Sequence, residues 1–299
     1  MDLEKLKAKA YFPTVKVNLT SFNAVFGSRV ISQLKAVDLE NYQAKRKAAG
    51  YSDAYVDYEI GAARTMIYKA FDNDMVSGET VKVFRRVKRL LKANANARDR
   101  IISLDEFNGL LKNLPPITRA IVATAFHTGM RRGEILSLTW DKVDLNKNVI
   151  RLEAEDTKDK EPRLVPICPA LYAVFRSLPR ALHDLRLFPH SSQKALRSRL
   201  DRDMVRACGE AGILYGRKVK GGLTFHDLRH TFNTYMRKAG VPQSVIMKIT
   251  GHSTDKMFRR YNTVDAEDAS AAIEKMDRFL ATLDQTLDQT SSTPTVKPN

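Results

Sequence analysis

Cysteine is nearly missing: Cys168 and Cys208 are the only two in 299 residues. That pair builds no disulfide framework and no cysteine-rich metal cluster, and it fits a reducing, intracellular compartment. Long apolar runs are missing too, as is a signal-peptide pattern after Met1, which argues against a spanning or secreted protein. No repeat of useful length occurs; the doublet TLDQ at 282–285 and 286–289 is too short to define a fold. The last shortage is of negative charge. Against 34 Asp and Glu stand 50 Lys and Arg, a formal net charge of +16. Such an excess calls for a polyanionic partner, because each phosphate neutralised by Lys or Arg releases a condensed counterion. With no membrane segment in view, nucleic acid is a better candidate than an anionic membrane. A hydrophobic fraction of 43% excludes a disordered chain, and the length suits one large or two modest domains.

The stretch 19–91 reads as helical, with Gly27, Gly50 and Gly78 marking turns. Val83, Val87, Leu90 and Leu91 predict a last helix there that also carries Lys82, Arg85, Arg86, Lys88, Arg89 and Lys92. Those six cations are either a solvated face or a face laid on DNA. Residues 93–100 break the apolar pattern and read as a linker. Ser103 and Glu106 then form a capping box that opens a new helix. The next helix shows Ile117, Ile121 and Ala125 on one face and stops near Gly129, and a short one covers 132–138. Strands at 149–152 and 163–167 flank a polar turn at 156–162. Helices resume after Pro169. One runs over 226–239 to Gly240, Pro242 begins the next and Gly251 ends it. A last amphipathic helix is expected over 265–283, with Ile273, Met276, Leu280 and Leu283 on one side. The tail from 284 has a disordered composition.

Three segments carry chemistry. Thr128-Gly-Met-Arg131-Arg-Gly-Glu134 sits between two helices, His226-Asp-Leu-Arg229-His230 opens a helix, and Gly251-His252 precedes Tyr261 by nine residues. Together they supply two fixed cations, two imidazoles and a phenol, the set that phosphoryl transfer needs. Arginine neutralises a charged phosphate with a planar fork of donors and keeps its proton. His226 and Arg229, three apart, share a helix face, and Glu134, three beyond Arg131, is placed to orient it.

These segments, in this order, resemble the tyrosine recombinases of the phage-integrase type. The resemblance spans about 19–283 and is strongest in the Arg131 block and in 226–261. It implies that Tyr261 attacks a backbone phosphate, leaving a 3′-phosphotyrosyl link and a free 5′-hydroxyl. It assigns Arg131 and Arg229 to the transition state. The hairpin lysine that protonates the departing oxygen is matched to Lys158, with Lys160 close by. His226 would assist proton transfer at Tyr261 and His252 would hydrogen-bond the phosphate. No cofactor and no metal are implied. The implied partner is double-stranded DNA with specific core sites, bound by a homotetramer on two duplexes, in the cytoplasm and associated with the nucleoid. Integrases with a small arm-binding domain carry it ahead of the part that begins near Leu19, so either this is a simple recombinase without that domain or the native chain is longer. Phe26-Gly27 and the run after it, which resemble the start of a core-binding domain in arm-bearing integrases, favour the longer chain.

Blander readings attach to several of these residues. Arg132 reads as a surface arginine. His226 and His230, four apart, lack a third ligand with zinc spacing, and His230 reads as packed. His127, His183 and His190 carry no motif. Tyr235 also follows a histidine by nine residues, but its apolar position beside Phe232 marks it as core. The expected architecture is mainly α: a helical core-binding domain over 1–97, then a mostly α-helical catalytic domain with a small antiparallel sheet over 98–283. Two rivals share the features. A type IB topoisomerase-like enzyme would reseal the same strand, and a non-catalytic helix-turn-helix regulator would use 226–251 for DNA alone.

Overall fold

A computed structural model of the chain describes residues 12–92, 95, 98–180, 183–252 and 276. The chain divides into two compact units, Met1–Asn96 and Ala97–Asn299. The N-terminal unit is helical: α1 (Phe12–Phe26), a 3₁₀ turn (Ile31–Gln33), α2 (Ala36–Ala48), α3 (Asp53–Phe71) and α4 (Gly78–Arg86). Ser52 and Ser77 cap α3 and α4 by accepting the backbone N–H of Tyr55 and Thr80. Phe22, Phe26, Leu39, Tyr42, Ile60, Ile67, Val81 and Phe84 form its core. Two carboxylates are buried in this unit, Asp57 and Glu59. Glu59 accepts from the Tyr42 hydroxyl at 2.8 Å and from Arg46 at 2.9 and 2.5 Å, so it is not left uncompensated.

The helix expected to run through Leu91 ends instead at Arg86, and Val87 is extended. The cause lies on α3. Arg64 donates to the carbonyls of Phe84 (3.1 Å) and Val87 (2.8 Å), which closes the end of α4. The buried carboxylate of Asp57 accepts the backbone N–H groups of Leu90 (2.9 Å) and Leu91 (3.0 Å). Two side chains seven residues apart on one helix thus pull the following backbone out of helical geometry. Lys88, Arg89 and Lys92 therefore lie beyond the helix, while Lys82, Arg85 and Arg86 lie on it, and all six are exposed.

The C-terminal unit holds α5 (Leu104–Lys112), α6 (Pro116–Thr128), α7 (Arg132–Leu136), β1 (Val143–Asp144), β2 (Val149–Leu152) and β3 (Arg163–Pro166). Four helices follow: α8 (Pro169–Arg176), α9 (Gln193–Glu210), α10 (Asp227–Lys238) and α11 (Gln243–Thr250). The Ser103–Glu106 capping box is present, with bonds of 3.2 and 3.0 Å. Helix α6 is the central element, buried from Ala120 through Phe126 and packed against α10, α8 and α7. The strands form an antiparallel sheet in the order β1-β2-β3, with Ile150 opposite Val165 and Leu152 opposite Arg163. Strand β1, two residues long, was not expected, since so short a segment carries no period of its own. The chain is thus mainly helical with a small antiparallel sheet. The helix expected over 265–283, Met276 apart, and the tail from 284 lie outside the described residues. Met276 itself is helical and half exposed. No helix among the described residues is long and apolar enough to cross a membrane.

Candidate active site

The T-G-x-R segment is built by the end of α6. The buried Thr128 hydroxyl donates to Thr124 O at 2.5 Å and accepts the Met130 N–H at 3.2 Å, closing the helix on itself. Gly129 follows with φ +61°, and a Cβ there would meet the Phe232 ring at 2.5 Å, so both conformation and packing demand glycine. The turn leaves Arg131 at the N-cap of α7, where its backbone N–H donates to Glu134 Oε2 at 2.9 Å. Its guanidinium meets Glu134 Oε1 (3.0 Å), Asp159 Oδ1 (2.9 Å), Asp159 Oδ2 (3.3 Å) and the Gly251 carbonyl (2.5 Å). The expected orientation of Arg131 by Glu134 is therefore present in the geometry.

Arg229 sits inside α10 and is buried. Its guanidinium donates to the Gly129 carbonyl at 2.6 Å and to His252 Nε2 at 3.0 Å. Gly251, at φ +69°, ends α11 in the left-handed conformation and turns His252 back toward the arginines. The Thr250 hydroxyl donates to Ile246 O at 2.7 Å, so it can accept from His252 Nδ1 at 2.8 Å. That network assigns the proton to Nδ1 and leaves Nε2 to accept from Arg229. Burial, then the Arg229 and Arg131 cations, push the His252 imidazole down to about 3, so it is neutral. Arg131 thus meets the carbonyl of Gly251 and Arg229 the ring of the next residue, His252, with the two cations fixed by the backbone carbonyls of Gly251 and Gly129.

His226 occupies the N-cap position of α10 rather than its interior and is exposed, its ring packed edge-on against His230 at 5.2 Å. Desolvation by the surrounding protein, then the Arg229 cation, holds His226 below the usual imidazole range. His230 is buried, as the sequence suggested, and is pushed down to about 4, chiefly by burial. The start of α10 is clamped by Asp227, whose buried carboxylate takes Arg98 at 2.9 and 2.7 Å and the Thr224 N–H at 2.7 Å. Burial alone would raise that carboxyl, but Arg98 and Thr224 outweigh it and hold it below the usual carboxylate range.

Lys158 and Lys160 are both exposed on the β2–β3 turn, and Lys160 has φ +61°. Tyr261 lies outside the described residues. Tyr235 packs, partly buried, against the core: its hydroxyl donates to Ile102 O at 2.9 Å and its ring packs edge-on to Phe126. Arg132 pairs at the surface with Asp201. Among the described residues no group of three His, Cys, Asp or Glu side chains is arranged to hold a metal. Sequence reasoning missed Asp159 and Arg163. Asp159 lies between two lysines on the turn, and nothing local shows that it reaches Arg131. Arg163 did leave a signal, a charge at an inward-facing place in a strand.

Comparison with known proteins identifies the family. Residues 100–268 match the model of the phage integrase family. The chain is 26% identical over 245 residues to the tyrosine recombinase XerA of Pyrococcus furiosus, covering 80% of each. It is 29% identical over 229 residues to a virulence plasmid integrase of Chlamydia muridarum, covering 70% of this chain and 64% of that protein. Its fold matches a crystal structure of a lambda integrase dimer bound to a COC′ core site. That match has a TM-score of 0.69 and 13% identity, over 88% of this chain and 96% of that one.

Proposed function

Since the chain belongs to the phage integrase family and is a tyrosine-type site-specific DNA recombinase, we propose that Arg131, Arg229 and His252 form its phosphate site and Tyr261 its nucleophile. The observation that carries this reading is that two carbonyl-anchored guanidiniums meet adjacent residues at the end of α11, Arg131 the Gly251 carbonyl and Arg229 the His252 ring. A scissile phosphate entering there displaces Asp159 from Arg131, exchanging one bidentate anion for another. For His252 to donate to a phosphate oxygen, Arg229 turns from Nε2 to the phosphate and Nε2 takes a proton from solvent, which the added negative charge favours.

Chemistry proceeds by in-line attack of the Tyr261 oxygen on phosphorus. The P–O5′ bond breaks, a 3′-phosphotyrosine forms, and the departing oxygen takes a proton from Lys158. His226, neutral at pH 7 because its pKa is depressed, is able to take the phenol's proton. The two arginines neutralise charge on the non-bridging oxygens. Bond energy is kept in the phosphotyrosine, so a 5′-hydroxyl from a second duplex can reverse the step on a new partner. The N-terminal unit is the core-binding domain, with Lys82, Arg85, Arg86, Lys88, Arg89 and Lys92 contacting phosphates. The acting form is a homotetramer on two duplexes of nucleoid DNA.

The test is covalent trapping. A nicked suicide duplex carrying a core site the protein binds should give a denaturation-resistant adduct with wild type and none with Tyr261→Phe. An adduct in both would move the nucleophile elsewhere. Relaxation of a plasmid lacking any specific site, without strand exchange, would favour a topoisomerase.

A further inference from the structure

Strand β3 alternates in burial: Arg163 and Val165 face inward, Leu164 and Pro166 outward. An inward position on a half-buried strand is normally apolar, and an arginine there must find partners for a desolvated charge. The Arg163 side chain, only 5% exposed, has them. It donates to Glu134 Oε2 at 2.5 Å and to the Ile249 carbonyl at 3.0 Å. Its guanidinium also lies against Gly251, where an added Cβ would come within 2.7 Å of it.

Both Glu134 and Gly251 are contacts of Arg131. Glu134 Oε1 takes the Arg131 guanidinium at 3.0 Å, its Oε2 takes the Arg131 backbone N–H at 2.9 Å, and the Gly251 carbonyl takes Arg131 Nη2 at 2.5 Å. Contacts therefore run in a closed ring, from Arg163 to Glu134, to Arg131, to Gly251 and back to Arg163. The ring joins β3, the start of α7 and the end of α11. Without Arg163, Glu134 would be a buried carboxylate shared by one cation instead of two, and free to turn. The end of α11, which presents His252, would lose a hydrogen bond at Ile249. Each change moves a donor that the phosphate site depends on, and neither removes a group that touches the phosphate.

We propose that Arg163 is a positioning residue for strand cleavage, setting the direction of the Arg131 fork through Glu134 and the place of His252 through Ile249. This rests on Arg131 and His252 serving the phosphate, as above. Because the Arg163 side chain is buried and bonded within the protein, it governs rate and not affinity. The ring also explains why Gly251 has to be glycine twice over, once for its φ and once for the guanidinium packed on it.

The test uses the full chain with Arg163→Met, Arg163→Lys, Glu134→Gln and the Arg163→Met/Glu134→Gln pair. DNA affinity, its salt dependence and single-turnover cleavage of the suicide duplex are measured for each, with thermal melts to establish folding. Arg163→Met should cleave about a hundredfold more slowly, since displaced donors cost that order of rate. Its affinity should stay within about twofold and its salt slope should not change, because no phosphate contact is lost. Arg163→Lys, which keeps the charge beside Glu134, should recover part of the rate. The double variant should be slowed by less than the product of the two single effects, because both changes break the Arg163–Glu134 contact. A folded Arg163→Met that cleaves at the wild-type rate would overturn the proposal. So would rate and affinity falling together in both Arg163 variants. Absence of an adduct even with bound wild-type protein would instead remove the phosphate-site reading, and this proposal with it.

Discussion

Two sets of cations, one in each unit, are held in opposite ways. In the N-terminal unit Lys82, Arg85, Arg86, Lys88, Arg89 and Lys92 are exposed, on α4 and the extended stretch after it. In the C-terminal unit the Arg131, Arg163 and Arg229 side chains are buried or nearly so, and each has at least two hydrogen-bond acceptors at fixed distances. Exposed cations act through long-range attraction and counterion release, which tolerate loose geometry. Buried cations with fixed donors cost desolvation and are useful only where direction matters, as at a developing transition-state charge. The first arrangement suits holding DNA, and the second suits cutting it.

The sharpest way to break that contrast is Arg229→Met. It removes the donor to Gly129 and His252, and cleavage should fall by about 10²–10³, the usual cost of one oxyanion donor. Single-turnover kinetics on saturating DNA would show it. A loss of affinity with an unchanged rate would place Arg229 among the cations that only hold DNA.

Next in size is acid sensitivity. His252 and His230 are buried and neutral, with pKa values pushed down to about 3 and about 4. The unfolded chain, with imidazoles near 6.5, binds more protons than the native one below that pH. Stability should therefore hold above about pH 6.5 and fall as pH drops toward 4, by about 1.4 kcal/mol per pH unit for each such histidine. Denaturant midpoints from pH 7.5 to 4.5 measure this, and a flat profile would mean that these imidazoles protonate in the folded state.

A smaller effect of opposite sign is expected from Asp159→Asn. Freeing Arg131 of a charge-assisted pair should strengthen capture of the scissile phosphate by about tenfold. Weaker capture would show that Asp159 supports Arg131 instead of competing for it. Smallest is Arg85→Ala, which should lower the salt slope of binding by about 0.9 and weaken binding a few-fold at moderate salt. Its cleavage rate on saturating DNA should stay at wild type, and a large fall would end the division of labour between the units.

The motif residues were legible because their chemistry is local: a glycine that must end α6, an arginine beside it, a glutamate three residues on, a histidine after the glycine that ends α11. Helix starts and stops at Ser103, Gly129 and Gly251 were legible for the same reason. The misses are long-range. The end of α4 is decided by Asp57 and Arg64, on a different helix. Strand β1 exists because β2 pairs with it. Asp159 reaches Arg131 across 28 positions of sequence, and Arg163 reaches Ile249 across 86. No window along the chain contains both partners of such contacts, although the inward phase of Arg163 was a visible anomaly.

The account stands on Arg131 and Arg229 serving the charge of one phosphate, and a neutral phosphate tests that most directly. A suicide duplex with a methylphosphonate at the scissile position would be offered to Arg131→Met. Removing the charge from the substrate should offset the loss of the cation, restoring cleavage well above the variant's rate on ordinary DNA. Equal, negligible cleavage on both substrates by a folded, DNA-bound variant would contradict the assignment of Arg131 to the phosphate.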